Sequence, residues 1–286
     1  MGFRTDLAME SIEAFGENLP DGVKRQTDEK QGLKITRMQV DTDASEMIGK
    51  REGQYITVEV DSFDHTAQNF SAKLDVLADE IKSMLPKDGV VLVAGLGNND
   101  ITPDALGPKT VDGILATRHI PQEIAEQTGL NGLRSTAAIA PGVLGQTGME
   151  TFEILASLVW RLHPAAVIVI DALASKSIDR LGKTIQLSDT GISPGSGVQN
   201  SRKELSTASI GVPVIAIGVP TVVDMATIAD ELSEGQAEIS ERGATMMVTP
   251  REIDVIIENS ARMLSLAINK ALQPQLSTED IIALVS

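Results

Sequence analysis

Two kinds of apolar pattern alternate along the chain. Short unbroken aliphatic runs, at 90–94 (VVLVA), 165–170 (AAVIVI) and 212–219 (VPVIAIGV), read as strands covered on both faces. Between and after them, apolar residues recur at helical spacing: Leu74, Leu77, Ala78, Ile81 and Leu85, then Val111, Ile114 and Leu115, then Phe152, Leu155, Ala156, Val159 and Leu162. Shorter strands are expected near 135–140 and 184–187, and helices over about 222–232, 250–272 and 278–285. The alternation of strand and helix from 90 to 220 predicts an α/β fold, a three-layer α/β/α sandwich around a mostly parallel twisted sheet. Upstream, 32–40 and 54–60 alternate apolar and polar residues as half-exposed strands do, whereas 1–31 read as a polar, partly helical lead-in with little to bury. A small strand-containing decoration up to residue 65 is therefore expected on a core formed by 66–286.

Composition sharpens this reading in three ways. Hydrophobic residues make up 42% of the 286 positions but aromatics only 2%, so the core is aliphatic. A net charge of −16 argues against a nucleic-acid surface, which needs clustered Lys and Arg. With no cysteine, disulfides, thiolate nucleophiles and Cys-ligated zinc are excluded together. The first twenty residues carry acids and lack an apolar signal core, and no apolar run approaches the ~20 residues of a membrane span. A soluble intracellular protein, with no membrane partner, is the expectation.

Candidate chemistry gathers at strand ends. The first aliphatic run breaks at Gly95, Gly97, Asn98 and Asn99, with Pro103 and Asp104 following; the second ends in Asp171. If the two strands are parallel neighbours, both acids lie on one rim of the sheet, where open α/β folds place their sites. Two carboxylates close together cannot both ionise freely, so they divide into an acid and a base. Each aspartate could equally be a helix cap or turn acid, and Asp189 reads as a turn residue. A second glycine turn, PGVLGQTG at 141–148, contributes Gly142 and Gly145; with Gly97 and Asn98 these are candidates for an oxyanion site or for loop support. Other chemistries fit poorly. GLGNND lacks the third glycine of a dinucleotide fingerprint, there is no Gly-Lys-Ser/Thr phosphate loop, and HExxH is absent. His65, His119 and His163 stand beside no nucleophile elbow and read as structural. Three functional readings stay open on these residues: a carboxylate-dyad hydrolase, a metal-assisted peptidase using the same acids as ligands, and a non-catalytic ligand-binding module.

Several motifs in order, GLGNNDITPDALGPKTVD, STAAIAPGVLGQTGMET, VIVIDALASKSIDR, IQLSDTGISPGSGVQNSRKE, GVPVIAIGVPTVVD and MMVTPREID, resemble the germination protease family of spore-forming bacteria. The resemblance implies an endopeptidase that degrades small acid-soluble spore proteins in the spore core during germination. It implies a homotetramer made as a zymogen in the forespore cytoplasm, with no cofactor. It carries the family's acids onto Asp104 and Asp171. In RTDLAMES it places autoprocessing between Asp6 and Leu7, leaving 1–6 as a short propeptide and 7–286 as one peptidase domain. The span between Asp224 and Met246 is short where other members carry an insertion. A more distant resemblance to hydrogenase maturation endopeptidases aligns the same two acids, but Gly195 follows Ser-Pro where those enzymes have a metal-binding histidine. That departure favours a metal-independent pair.

Overall fold

In the computed structural model, residues 5–61, 63, 69–121, 123, 124, 127, 132–195, 202–233 and 240–285 are described. Nine strands form one sheet in the order β1-β2-β3-β7-β8-β6-β4-β5, with β9 paired to β8. They are β1 (Val23–Lys30), β2 (Leu33–Val40), β3 (Gly53–Glu59), β4 (Val91–Gly95), β5 (Thr136–Ile139), β6 (Ala166–Ser175), β7 (Thr184–Ser188), β8 (Val214–Asp224) and β9 (Met247–Val248).

The four strands β5, β4, β6 and β8 run parallel, whereas β7, β3, β2 and β1 continue the sheet antiparallel. The parallel half is layered on both faces because its strands alternate their side chains between two cores. Val91, Val93, Ala166, Ile168, Ile170, Ile215 and Ile217 face the helices Phe70–Met84, Leu106–Asp112 and Ile253–Leu272. Leu92, Ala94, Val167, Val169, Val214 and Ala216 face the helix Thr151–Leu162 and the short helix Thr207–Ile210. The α/β/α sandwich expected from the sequence is the fold.

Three expectations change. The lead-in is not free of core residues: Leu7, Ala8 and Ile12 are fully buried, and Ala8 and Ile12 join Met38, Val40 and Tyr55 in a third cluster. Residues 23–30 form a strand rather than a loop or helix. Its sequence, VKRQTDEK, is exposed along most of its length because it is a sheet edge, and its pairing follows from a two-residue turn, Gln31–Gly32. Both turn residues have positive φ (54° and 75°), the geometry that matches the twist of a hairpin. The first sixty residues therefore extend the main sheet, through β3 on β7, rather than decorate it.

Candidate active site

The motif GLGNNDITPDALG owes its shape to close backbone approach. Gly107, in the first turn of its helix, faces the ends of β4 and β6 so closely that a methyl there would lie 2.2 Å from the Leu96 carbonyl oxygen and 2.6 Å from that of Ile170. Gly95 meets Gly107 from the other side, 2.1 Å from its carbonyl oxygen on the same construction. Only glycine admits this contact. It brings the helix against the strand ends and places the preceding turn, Thr102–Asp104, over the sheet rim. Thr221 on β8 fixes that turn by donating its hydroxyl to the Pro103 carbonyl (2.8 Å).

Asp104 is not a helix cap. The cap position of the following helix is Ala105, and no side chain caps it. The Asp104 carboxylate instead turns back and accepts the Asn98 backbone N–H (2.8 Å). Gly97, at φ 109°, makes room for this, since a side chain there would strike the Asp104 backbone. Asn98 thus supports the acid with its amide. Its side chain is tied by Gln146, whose Nε2 donates to Asn98 Oδ1 and to Asp100 Oδ2 (2.9 Å each).

Asp171 lies within β6, not at its end: the strand continues through Ala172, Leu173 and Ala174 to Ser175, because these apolar residues still pair with β8 up to Ser175↔Val223. Its carboxylate accepts the Ala172 N–H (2.9 Å) and is buried, with 6% exposure. β4 and β6 are parallel neighbours in register up to Gly95↔Ile170, so both acids emerge on one rim.

They line one cleft of about 470 Å³. Its floor and walls include Gly97, Asn98, Gly145, Glu150, Ala172 and Thr221, and Asp6 enters from the N-terminal segment. Gly142 is not among the cleft residues; it takes φ 74° in the turn that leads to them. His163 ends the helix Thr151–Leu162 in a left-handed conformation, and His119 is exposed. His65 lies outside the described residues. The Asp189 carboxylate accepts the Gln54 N–H (2.8 Å), a turn role. Among the described residues no group of three or more His, Cys, Asp or Glu is disposed to hold a metal ion, and no helix is long and apolar enough to cross a membrane.

The two aspartates are electrostatically unequal. Burial raises the pKa of Asp171 well above the ordinary carboxyl range, and the nearby charges of Asp104 and then Asp6 raise it further, against the Ala172 N–H. Burial also raises Asp104, less strongly, and the Asn98 N–H opposes it. Of the two, Asp171 is the one more strongly driven towards its neutral form.

Reasoning from sequence missed the residues that bring Asp6 here. Its N–H donates to the Ala174 carbonyl (3.0 Å), and its carboxylate accepts the Ala174 N–H (2.8 Å). Its own carbonyl accepts from Lys50 Nζ and Gln186 Nε2 (3.0 Å each). Glu10, buried in the next helix, accepts from Ser175 Oγ and the Lys176 N–H (2.7 Å each) and so ties the N-terminal segment to the end of β6.

The sequence profile described as germination protease matches residues 6–234. A germination protease of Caldanaerobacter subterraneus subsp. tengcongensis is 43% identical over 98% of this chain and 97% of its own length. One from Clostridium acetobutylicum is 39% identical, over 97% of each chain. Among solved structures, a [NiFe] hydrogenase maturation protease, HycI, from Thermococcus kodakarensis KOD1 aligns with TM-score 0.38 and 14% identity, over 68% of this chain and 99% of its own.

Proposed function

The chain belongs to the germination protease family, and from that premise we propose that it is an endopeptidase in which Asp104 and Asp171 together activate water for peptide hydrolysis. The observation that carries the reading is the unequal pair in one cleft: Asp104 half-buried and bonded to an amide, Asp171 buried and driven towards its neutral form. In this mechanism the Asp104 carboxylate takes a proton from water as the water oxygen bonds to the carbonyl carbon of the scissile peptide. Asp171 gives its proton to the carbonyl oxygen. Collapse of the tetrahedral intermediate breaks the C–N bond: the proton held on Asp104 passes to the leaving nitrogen, and one hydroxyl of the intermediate returns its proton to Asp171 as the C=O re-forms, giving a carboxyl and an amine product and restoring both acids. Because the pair titrates as a unit, activity should depend on pH as a bell. Both flanks should lie above those of two ordinary aspartates, since both pKa values are raised.

Asp104→Asn and Asp171→Asn should each lower kcat/KM on an unfolded protein substrate by at least about 100-fold, the lower end of the usual range for one acid or base. Circular dichroism should report folded protein in both. Near-normal turnover by either variant would overturn the dyad. Unchanged turnover after exhaustive treatment with a chelator distinguishes it from the metal-assisted alternative.

The proposal includes small acid-soluble spore proteins as substrates, action in the spore core, a homotetramer, and a zymogen processed between Asp6 and Leu7. Family membership supports these points. For processing there is also local support: the Asp6 carbonyl oxygen already accepts from an ammonium and an amide, the pattern that stabilises a developing oxyanion. Mass spectrometry of incubated full-length protein should reveal a new N-terminus at Leu7, and none in Asp104→Asn. Sedimentation equilibrium tests the tetramer.

A further inference from the structure

The cleft has a feature that the two acids do not use: an open length of strand. The register between β4 and β6 stops at Gly95↔Ile170, yet β6 runs on to Ser175 with β8 alone beside it. From residue 171 onward, one side of β6 has lost its neighbouring strand and borders the cleft. A strand turns the N–H and C=O of alternate residues to the same side. The Ile170 carbonyl accepts the Leu96 N–H on the β4 side (2.7 Å), and both backbone groups of Ala174 bond Asp6. Ala172, between them, faces the same way. It lines the cleft next to Asp171, whose carboxylate holds its N–H. Exposed strand edges of this kind are templates for an extended chain.

Part of that template is taken by the protein's own segment. Residue 6 pairs with Ala174 through its N–H and through its carboxylate, and Lys50 Nζ then grips the carbonyls of both Thr5 and Asp6 (3.0 Å each). Leu7 and Ala8 are buried, Ala8 in the third core cluster, and the Gln186 side chain accepts the Ala8 N–H (2.6 Å). The segment therefore covers the Ala174 end of the edge, bending at Asp6 where the Leu7 N–H bonds the Thr5 hydroxyl (2.9 Å), and Asp6 shares the cleft with Asp104 and Asp171. Apolar residues also line the cleft, among them Ile101, Val143, Leu144 and Ile192, and are suited to the side chains of a peptide laid along the edge.

We propose that a substrate peptide binds as an added strand on the β6 edge at Ala172–Ala174, and that Thr5–Leu7 competes for the Ala174 end of that edge. This rests on the proteolytic reading above and specifies how the substrate backbone is presented to its acids. Pairing along the edge, rather than recognition of one side chain, fixes the scissile peptide beside Asp171. Asp171 and the Ala172 N–H it holds then lie beside the docked strand.

The test uses the full-length chain carrying Asp104→Asn, so that binding is read without turnover, and a fluorescein-labelled peptide of the chain's own sequence FRTDLAME. Fluorescence anisotropy gives Kd for the parent peptide and for a series with one backbone nitrogen methylated at a time. Strand addition predicts losses of about tenfold at every second position, with effects below about twofold between them, since each pairing nitrogen gives up one hydrogen bond. Adding Asp6→Ala to the protein removes the charge-assisted bond to the Ala174 N–H and should tighten peptide binding by about tenfold. Methylation effects without alternation, or a Kd unmoved by Asp6→Ala, would overturn the proposal. The two readings fail separately. Alternating losses with no hydrolysis by protein that retains Asp104 would remove the dyad and keep the edge; hydrolysis with no alternation would do the reverse.

Discussion

The contact of Gly107 with the strand ends gives a prediction whose size can be worked from the structure. In Gly107→Ala the added methyl would lie 2.2 Å from the Leu96 carbonyl oxygen and 2.4 Å from its nitrogen. Ordinary contact needs about 1 Å more, and the opposing atoms are backbone, so the helix Leu106–Asp112 must lift from the sheet by about that amount. Overpacking of this kind costs roughly 1–3 kcal/mol, and straining the Leu96–Ile170 bond (2.7 Å) adds about 1 kcal/mol. For a chain of this size the sum lowers Tm by roughly 5–15 °C. Function should suffer more. Asp104 rides on the turn just ahead of the helix, and a displacement of about 1 Å costs on the order of 100-fold in rate. Differential scanning calorimetry gives the first quantity, and kcat/KM measured well below the melting range gives the second. Gly145→Ala is the control: it too borders the cleft, but nothing lies within 4 Å of its added methyl. A Gly107→Ala enzyme that melts early yet keeps kcat/KM within twofold of the parent would refute the claim that this contact positions the acid.

Three further outcomes follow from buried polar groups. For Asp171 the folded pKa is raised, so its contribution to stability is fullest below the unfolded carboxyl value, near pH 4, and is lost as pH rises through the folded value; Asp171→Asn should therefore gain Tm over the parent progressively above about pH 4, and a difference independent of pH would contradict the raised pKa. Arg37 pairs with Glu80, which is buried, and with Asp28 (2.6 Å). Arg37→Met should cost about 3–5 kcal/mol in urea unfolding, and Arg37→Met/Glu80→Leu should recover most of it, because the penalty comes from an unpaired buried charge. Ser260 is fully buried with no partner for its hydroxyl among the described residues, so Ser260→Ala should leave stability unchanged or raise it by about 1 kcal/mol in the same assay.

Legibility in the sequence followed the range of the forces involved. β4, β6 and β8 were readable because burial on both faces leaves an unbroken aliphatic run. Where these strands stop was not readable. An aspartate after AAVIVI and a proline after VIAIGV look like terminators, yet Asp171 and Pro220 lie inside their strands, since β6 and β8 keep each other paired beyond them. β1 escaped notice for the opposite reason: an edge strand paired by a tight turn needs no apolar face. The acids at the rim were legible from their places after strand-like runs. Lys50 and Gln186, which hold the Asp6 carbonyl across 44 and 180 positions of chain, had no local signal at all. The signal available was the pair Leu7 and Ile12, apolar residues in a polar lead-in, whose burial brings residue 6 to the cleft.

The overrun of β6 past β4 explains why the acids differ and why the cleft exists. Had β4 continued alongside, residues 171–175 would form an ordinary interior strand, paired along both backbone edges and with no open edge bordering the cleft. Had β6 stopped at Ile170, Asp171 would sit in a solvated loop with the pKa of a surface acid. Overrun with support from β8 alone gives an aspartate held by a rigid strand, buried from one side and open to the cleft on the other. The same geometry leaves an unpaired edge, which would ordinarily be a liability for aggregation. Here the Asp171 carboxylate takes the Ala172 N–H and Asp6 takes both backbone groups of Ala174, so the edge is blunted by groups that belong to the cleft itself. On the proposal above, an incoming extended chain takes over the Ala174 end of this edge and leaves the ladder between β6 and β8 intact.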